Sequence, residues 1–98
     1  MENNSRKYLN TFNENRSVLR DQFRVKEIGI FGSVARGEQT ASSDVDVLVE
    51  FSEPIGFFKF LDLENFLTRI LNKKVDLVTK KALKPVVKDR ILKDVVYA

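Results

Sequence analysis

Apolar residues recur along the chain at two different spacings, and these spacings predict its secondary structure. Residues 5–22 carry apolar side chains at helical intervals with Asn, Arg and Glu between them, which predicts a first helix. The stretch VKEIGIF at 25–31 is rich in β-branched residues and ends at Gly32, which is typical of a strand. Residues 33–37 are then expected to form a short helical turn, followed by the polar loop EQTASS.

The remainder of the chain alternates between strands and helices. Residues 44–51, DVDVLVEF, alternate between two faces, which predicts a strand whose valine face points toward the core. An apolar helix is expected at about 56–72, a third strand at 74–79 and a closing helix from Pro85. The closing helix is expected to point five apolar side chains inward, namely Val86, Val87, Ile91, Leu92 and Val95. The order αβ(α)βαβα predicts a single α/β unit over residues 1–98.

The composition is that of a small globular domain, with 98 residues of which 43% are hydrophobic and 32% charged. Such a domain buries only about 60 to 65% of its unfolded surface, so a bound ligand or assembly into a homo-oligomer or hetero-oligomer would add useful stability. The chain has no run of about 18 apolar residues, and MENNSRKYLN lacks the apolar stretch of a secretory signal. We therefore expect no membrane association and a cytoplasmic location.

The chain contains neither cysteine nor histidine, and this restricts its chemistry. A disulfide framework, a thiolate zinc site and a histidine-based catalytic triad are all excluded. Catalysis would have to use carboxylates, hydroxyls, amides and cations. A bound metal would be a hard ion held by oxygen, such as magnesium or manganese.

Basic residues are concentrated in the C-terminal third, although the net charge is only +3. They are Lys73, Lys74, Lys80, Lys81, Lys84, Lys88, Arg90 and Lys93. A solvated helical face is the simpler interpretation, and attraction of phosphates or nucleic acid is the alternative. No aromatic residue interleaves with these lysines to stack on bases, which disfavours nucleic acid as a partner.

Three aspartates occupy strand positions where acids are uncommon. Asp44 and Asp46 lie two residues apart and therefore project from one face of the second strand. Two carboxylates roughly 4 Å apart repel by about 1 kcal/mol in water and about 4 kcal/mol at an effective dielectric of about 20. If Asp76 on the third strand joins the same face, a magnesium ion or a pair of ions is the natural counter-charge. The structural alternatives are a cap or Asx turn at Asp44 and exposed strand positions for Asp46 and Asp76.

The turn at Gly32 and Ser33 suggests an anion-binding element. Backbone N–H groups point outward where a strand enters a short helix, glycine permits close approach, and the serine hydroxyl adds a donor. The segment GSVARG is not a Walker loop, because Glu38 and Gln39 stand where Lys and Ser or Thr would be required. A purely structural turn is the alternative. If the turn and the aspartates serve one ligand, the first two strands should be antiparallel neighbours.

These residues resemble a known family. The segment GSVARGEQTASSDVDVLVEF is similar to the GSxARGxxxxxSDxDxxV signature of minimal nucleotidyltransferases, small members of the DNA polymerase beta superfamily. The segment KKVDLVT resembles the one that supplies the third acid of that family, and the closing helix is similar as well. One departure is Val47, which replaces the commoner leucine. The resemblance implies an α+β domain with the nucleotidyltransferase fold, a small mixed β-sheet flanked by helices.

The resemblance also implies roles for the site residues. Asp44 and Asp46 would ligate two Mg²⁺ ions, and Asp76 would ligate the catalytic ion and help to deprotonate the attacking hydroxyl. Gly32 and Ser33 would bind the β and γ phosphates of ATP.

Two further residues belong to the same signature and are assigned to nucleotide binding, Arg36 and Ser43. For Arg36 two roles are open, neutralisation of phosphate charge or a structural pair with an acid of the loop.

The function implied by the resemblance is that of the antitoxins of HEPN/MNT toxin–antitoxin pairs. Such an enzyme transfers AMP from ATP to a tyrosine of a partner HEPN toxin, and a chain this short leaves little room for its own acceptor-binding domain. Two alternatives are a non-catalytic module that neutralises a toxin by contact, and a nucleotidyltransferase acting on small molecules such as antibiotics.

Overall fold

The computed structural model describes residues 4–38 and 42–98. Its elements are α1 (Ser5–Glu14), α2 (Arg16–Phe23), β1 (Val25–Phe31), α3 (Gly32–Ala35), β2 (Val45–Phe51), α4 (Phe57–Leu71), β3 (Val75–Thr79), a 3₁₀ turn (Lys80–Ala82), α5 (Pro85–Asp94) and β4 (Val96–Tyr97). The polar loop expected after α3 lies in part outside the described residues. In the ranges that are described, no helix is both long and apolar enough to span a bilayer.

The four strands form one mixed sheet in the order β3-β2-β1-β4. β1 is antiparallel to both β2 and β4, whereas β2 and β3 are parallel. The expected antiparallel pairing of the first two strands is therefore confirmed. Its register places Phe31 opposite Asp46, and the parallel pair places Asp46 opposite Asp76. The C-terminal end of β1 therefore lies beside Asp46 and Asp76, at the end of the sheet where β2 and β3 begin.

The core lies between one face of the sheet and helices α1, α2 and α4. The valines at 45, 47 and 49 of β2 are no more than 1% exposed, which confirms the predicted core face. Phe12, Leu63 and Leu67 from the helices pack with them and are fully buried. The opposite face carries the acids, but it also buries Leu48, which the alternation had placed there. This second face is therefore apolar in its middle and acidic at the end where β2 begins.

The single helix predicted over residues 5–22 is wrong, because the segment forms two helices separated at Asn15. The Asn15 backbone departs from helical geometry, with φ −108° and ψ 17°. Its side-chain amide donates a hydrogen bond to the Thr11 carbonyl at 2.9 Å. Asparagine side chains compete in this way with the regular helical hydrogen bonds, so the first helix ends here.

The predicted inward face of the closing helix is correct only in its C-terminal half. Ile91, Leu92 and Val95 are half-buried, whereas Val86 and Val87 are 91% and 44% exposed, so their inward assignment is wrong. The reason is geometric. The contacts of α5 are with α3 and β1, and residues 85–90 extend into solvent.

The two-residue strand β4 was not predicted and depends on a glycine in β1. Tyr97 lies opposite Gly29, and Ala98 N–H donates to the Ile28 carbonyl at 2.9 Å. A Cβ at Gly29 would lie 2.8 Å from the Val96 carbonyl oxygen, which is too close for an alanine without a shift. The absence of a side chain at Gly29 therefore lets the chain end close the sheet.

Candidate active site

Asp46 lies at the centre of the acidic end of the sheet. It is the second residue of β2, and its register partners are Phe31 on β1 and Asp76 on β3. Paired residues on neighbouring strands project from the same face, so the carboxylates of Asp46 and Asp76 are neighbours. Asp44 precedes the strand on the same face and is half-buried. The register of β2 and β3 therefore brings Asp46 and Asp76 together.

The electrostatic surroundings of Asp46 disfavour its charged form. Burial raises the pKa of Asp46, and the nearby carboxylates of Asp76 and Asp44 raise it further. Arg36 acts in the opposite direction and lowers the pKa of Asp46, but its effect is the smallest of the four. Partial desolvation and like charges therefore act together, and a cation at this place would relieve the repulsion.

Gly32 makes room for the Asp46 carboxylate. Its φ of +74° lies in the left-handed region, and a Cβ at this position would overlap Asp46 Oδ2. Glycine is needed here for both reasons, the backbone conformation and the space. The glycine was expected to permit close approach of a ligand, and the group that approaches it in the structure is a carboxylate. The turn carrying Ser33 consequently lies beside the second acid.

The short helix after β1 ends in a Schellman motif. Glu38 N–H donates to the Ser33 carbonyl at 2.8 Å, and Gly37 N–H donates to the Val34 carbonyl at 3.1 Å. Gly37 has a φ of +72°, which supplies the left-handed residue that this motif requires. The sequence analysis did not single out Gly37, although a glycine directly after a short helical turn is a recognisable signal. This ending fixes the direction in which Arg36 leaves the turn.

Arg36 is engaged in two ion pairs. Its Nε lies 3.1 Å from Glu38 Oε2, and its Nη1 lies 2.9 Å from Asp94 Oδ2 at the end of α5. The hydrogen bonds that Arg36 donates to these carboxylates, that to Glu38 first, raise the pKa of Arg36. The structural role foreseen for Arg36 is therefore present, with Asp94 as a second partner that the sequence did not suggest. A role in binding phosphate stays a prediction.

The remaining predicted site residues lie around this centre. Asp44 Oδ2 is 4.0 Å from the ammonium group of Lys74, whose side chain is 82% exposed, so this ion pair is weak. Ser33 and Ser43 are both half-buried on the turns before and after the loop. The roles of these side chains in binding nucleotide stay predictions.

The fit of a metal ion is best judged from the donors themselves. Within residues 4–38 and 42–98, no group of three or more Asp, Glu, His or Cys side chains is gathered closely enough to hold an ion. The donors at this place are carboxylate oxygens, which suit Mg²⁺, and the neighbouring carboxylates of Asp76 and Asp44 raise the pKa of Asp46. The chemistry of these donors fits a hard divalent cation.

Comparison with known proteins connects this geometry to a family. The family model described as Nucleotidyltransferase domain matches residues 13–98. Protein adenylyltransferase MntA of Thermococcus cleftensis is 48% identical over 79 residues, which span 81% of this chain and 80% of that protein. These matches confirm the resemblance to nucleotidyltransferases that the signature predicted.

Solved structures show the same fold. A crystal structure of a toxin–antitoxin complex with AMP-PNP has a TM-score of 0.72 and 26% identity, covering 87% of this chain and 69% of that chain. A structure of a tri-AMPylated Shewanella oneidensis HEPN toxin in complex with an MNT antitoxin has a TM-score of 0.65. That match has 21% identity and covers 92% of this chain and 70% of the other, so it shows likeness of fold. The predicted α+β fold is thereby confirmed.

Proposed function

Because the chain belongs to the nucleotidyltransferase domain family, which it matches over residues 13–98, we propose that it transfers AMP from ATP to a hydroxyl of a partner protein. The observation that carries this proposal is the meeting of Asp46, Asp76 and the Gly32 turn at one end of the sheet. The name of its Thermococcus cleftensis relative, protein adenylyltransferase, supports adenylyl transfer to protein. The AMP-PNP bound in a structural neighbour supports ATP as the donor.

The site residues have three proposed roles, which are to bind the metal, to bind the phosphates and to accept the proton of the acceptor hydroxyl. Asp44, Asp46 and Asp76 would hold Mg²⁺, which when bound neutralises phosphate charge and stabilises the attacking and leaving oxygens. Gly32 and Ser33 would bind the β and γ phosphates, since the turn lies beside Asp46.

The transfer itself is a displacement at the α-phosphorus. The acceptor oxygen forms a bond to that atom, the bond to the oxygen bridging the β-phosphate breaks, and pyrophosphate leaves. The proton of the acceptor hydroxyl passes to the Asp76 carboxylate and then to solvent, because Asp76 is exposed. Positioning and electrostatic stabilisation supply most of the rate enhancement in this type of reaction.

The acceptor we propose is a tyrosine of a cognate HEPN-type toxin, so that this chain acts as the antitoxin. Support comes from the structural neighbours, of which one is a toxin–antitoxin complex and another holds an AMPylated HEPN toxin with an MNT antitoxin. Phosphodiester-linked AMP adds a bulky anion to the tyrosine, and such a group can block a functional surface of the toxin by charge and by size.

The direct test is transfer of label from α-labelled ATP to the product of the neighbouring gene, which on this proposal is a HEPN-type protein. With Mg²⁺, wild-type protein should label a tyrosine of that partner, and Asp46→Asn should abolish labelling. Asp62→Asn is the control, because Asp62 is an exposed acid on α4 that belongs neither to the acidic end of the sheet nor to the turn at Gly32. Equal labelling by wild type and Asp46→Asn would contradict the proposal.

A second function is favoured by one observation, the lack of a ready three-ligand metal group among the described residues. On that alternative the chain neutralises its toxin by contact alone, and nucleotide is an optional ligand. A variant with Asp44, Asp46 and Asp76 all changed to Asn distinguishes the two. Protection of cells by this variant supports the contact mechanism, and loss of protection supports transfer.

A further inference from the structure

The first turn of α4 exposes two large aromatic side chains side by side. Phe57 is 69% exposed and Phe58 is 79% exposed. Their rings meet edge to face with centroids 5.8 Å apart. We call this pair and the cavity beside it the aromatic patch. Neighbouring phenylalanines exposed to this degree are uncommon on a monomer and mark an interaction surface.

A cavity of about 410 Å³ opens next to these rings. It lies between the C-terminal ends of β2 and β3 and the start of α4. Its lining includes Ile55, Phe57, Phe60, Thr79, Lys80 and Lys81. Apolar side chains dominate this lining, so the cavity suits an apolar side chain from another molecule. A small ligand inside it would leave Phe58 in water, whereas a protein segment crossing the patch would cover both rings.

The rim of the aromatic patch carries an excess of positive charge. Its two acids are already paired, Glu50 with Lys26 and Lys80, and Glu53 with Arg24 at 3.0 Å. Lys81, in contrast, has no carboxylate partner among residues 4–38 and 42–98. The cations around this apolar cavity therefore outnumber its acids, which complements a segment that carries both acidic and apolar side chains.

The aromatic patch lies at the opposite end of β2 from the acids. Phe51 ends the strand beside the patch, and Asp46 is five residues earlier, which is about 16 Å along a strand. A protein held at the patch would therefore leave the acidic end open to nucleotide and to the acceptor hydroxyl.

We propose that the aromatic patch is the docking surface for the protein that this chain modifies, and that it binds an acidic amphipathic segment of that partner. This inference rests on the function proposed above. An apolar side chain of the segment enters the cavity and packs on Phe57 and Phe58. A carboxylate of the segment pairs with Lys81. Docking at one end of β2 then raises the local concentration of the acceptor at the other end.

The test measures the Kd between this chain and the purified HEPN-type partner by calorimetry. Two patch variants are used, Phe57→Ser with Phe58→Ser, and Lys81→Glu. Each should weaken binding tenfold or more, since exposed aromatic anchors and complementary charges carry such interfaces. Val86→Ser is the matched control, because Val86 is 91% exposed on α5, away from the patch, and it should leave the Kd unchanged. Thermal melts should be unchanged in all three, because the altered side chains are exposed.

The outcomes separate docking from catalysis. If both patch variants bind the partner as tightly as wild type, the docking proposal is wrong. If the chain alone dimerises in sedimentation experiments and only the Phe variants abolish the dimer while partner binding persists, the occupant is a second copy and the proposal is also overturned. If wild type binds the partner through the patch but transfers no label to it, docking stands and the proposed transfer fails. Labelling of the partner with the same KM by wild type and patch variants leaves transfer intact and overturns docking.

Discussion

Two carboxylates on the same face of β2 lie in opposite electrostatic surroundings. Glu50, near the end of the strand, has the ammonium groups of Lys26 and Lys80 at 3.3 and 3.5 Å. A hydrogen bond from Lys26 is the main cause of a lowered pKa for Glu50. Asp46, four residues earlier, lies opposite Asp76, and burial and like charges raise its pKa.

The two acids differ in whether the protein supplies a counter-charge. The charge of Glu50 is compensated by Lys26 on β1 and by Lys80 in the 3₁₀ turn after β3. Among residues 4–38 and 42–98, the acids at 44, 46 and 76 have no such compensation beyond the exposed Lys74 and the weak influence of Arg36. An uncompensated set of acids in an otherwise balanced sheet indicates that the counter-charge is a ligand.

After the loss of transfer expected for Asp46→Asn, the next largest effect is expected from removal of the third acid. Asp76→Asn should lower AMP transfer by about 10²- to 10³-fold, the usual cost of deleting one preorganised electrostatic group. The variant should stay folded, because Asp76 is exposed. Asp62→Asn, an exposed acid on α4, is the control and should transfer AMP at the wild-type rate. Equal rates for Asp76→Asn and wild type would break the distinction between the two kinds of acid.

A large stability effect is expected at the glycine that faces Asp46. Gly32→Ala places a Cβ in the left-handed region, at a cost of about 1–2 kcal/mol, and in addition against the Asp46 carboxylate. At this chain size each kcal/mol lowers the Tm by about 4–8 °C.

The control for that change is Gly56→Ala. Gly56 has a φ of −72° and nothing within 4 Å of a Cβ, so its Tm should hardly move. A Tm for Gly32→Ala as high as that of Gly56→Ala would show that the glycine turn does not hold the acid in the described position.

A smaller effect on stability should have opposite signs at the two acids. The pKa of Asp46 is raised in the folded state, so the folded state binds more protons and the free energy of unfolding falls as pH rises through that pKa. Asp46→Asn should therefore be more stable than wild type at pH 7, by a few tenths of a kcal/mol after solvent screening. The gain should vanish in acid.

Glu50 should show the reverse behaviour. Its pKa is lowered, so its contribution to stability is present above the ordinary glutamate pKa and is lost as pH falls. Glu50→Gln should be less stable than wild type at pH 7 and equal to it in acid. Thermal melts of both variants from pH 3 to 8 check the pair, and shifts of the same sign would refute the comparison.

The smallest effect is expected at the ion pair that ties α5 to the turn. Arg36 and Asp94 are partly exposed, so Asp94→Asn should lower the Tm by less than Gly32→Ala does. The Asp94→Asn change also frees Nη1 of Arg36 from its ion pair. If Arg36 binds phosphate, the Kd for ATP should then fall slightly. A weaker affinity for ATP in Asp94→Asn would assign Arg36 a structural role alone.

The strand pattern predicted which face of β2 carries Asp44 and Asp46, because alternation puts them on the opposite face once the valines of β2 are buried. A shift of one residue would expose Val47 and bury Asp46, so the register followed from the sequence. Alternation in β3 placed Asp76 on one face of its strand, but its position opposite Asp46 was only a condition, because the pairing of β2 with β3 depends on contacts between distant segments. Gly32 was recognised as a point of close approach, although its partner is a carboxylate.

Features that depend on distant contacts were not predictable in this way. Asp94, the second partner of Arg36, lies 58 residues further along the chain, and no local sequence pattern connects the two. The helix break at Asn15 depends on one side-chain hydrogen bond, and β4 is too short to show a period. The apolar spacing of α5 did not reveal that its first turn extends past the sheet and leaves Val86 in solvent.

The most direct test of the central claim is calorimetric titration of ATP with Mg²⁺ into wild type, Asp46→Asn and Glu50→Gln. If the uncompensated acids hold the cation of the nucleotide, wild type and Glu50→Gln will bind with the same Kd, and Asp46→Asn will bind at least tenfold more weakly. Removal of Mg²⁺ will weaken binding to the first two proteins and change it little for Asp46→Asn. Binding by Asp46→Asn that is as tight and as Mg²⁺-dependent as that of wild type would contradict the claim.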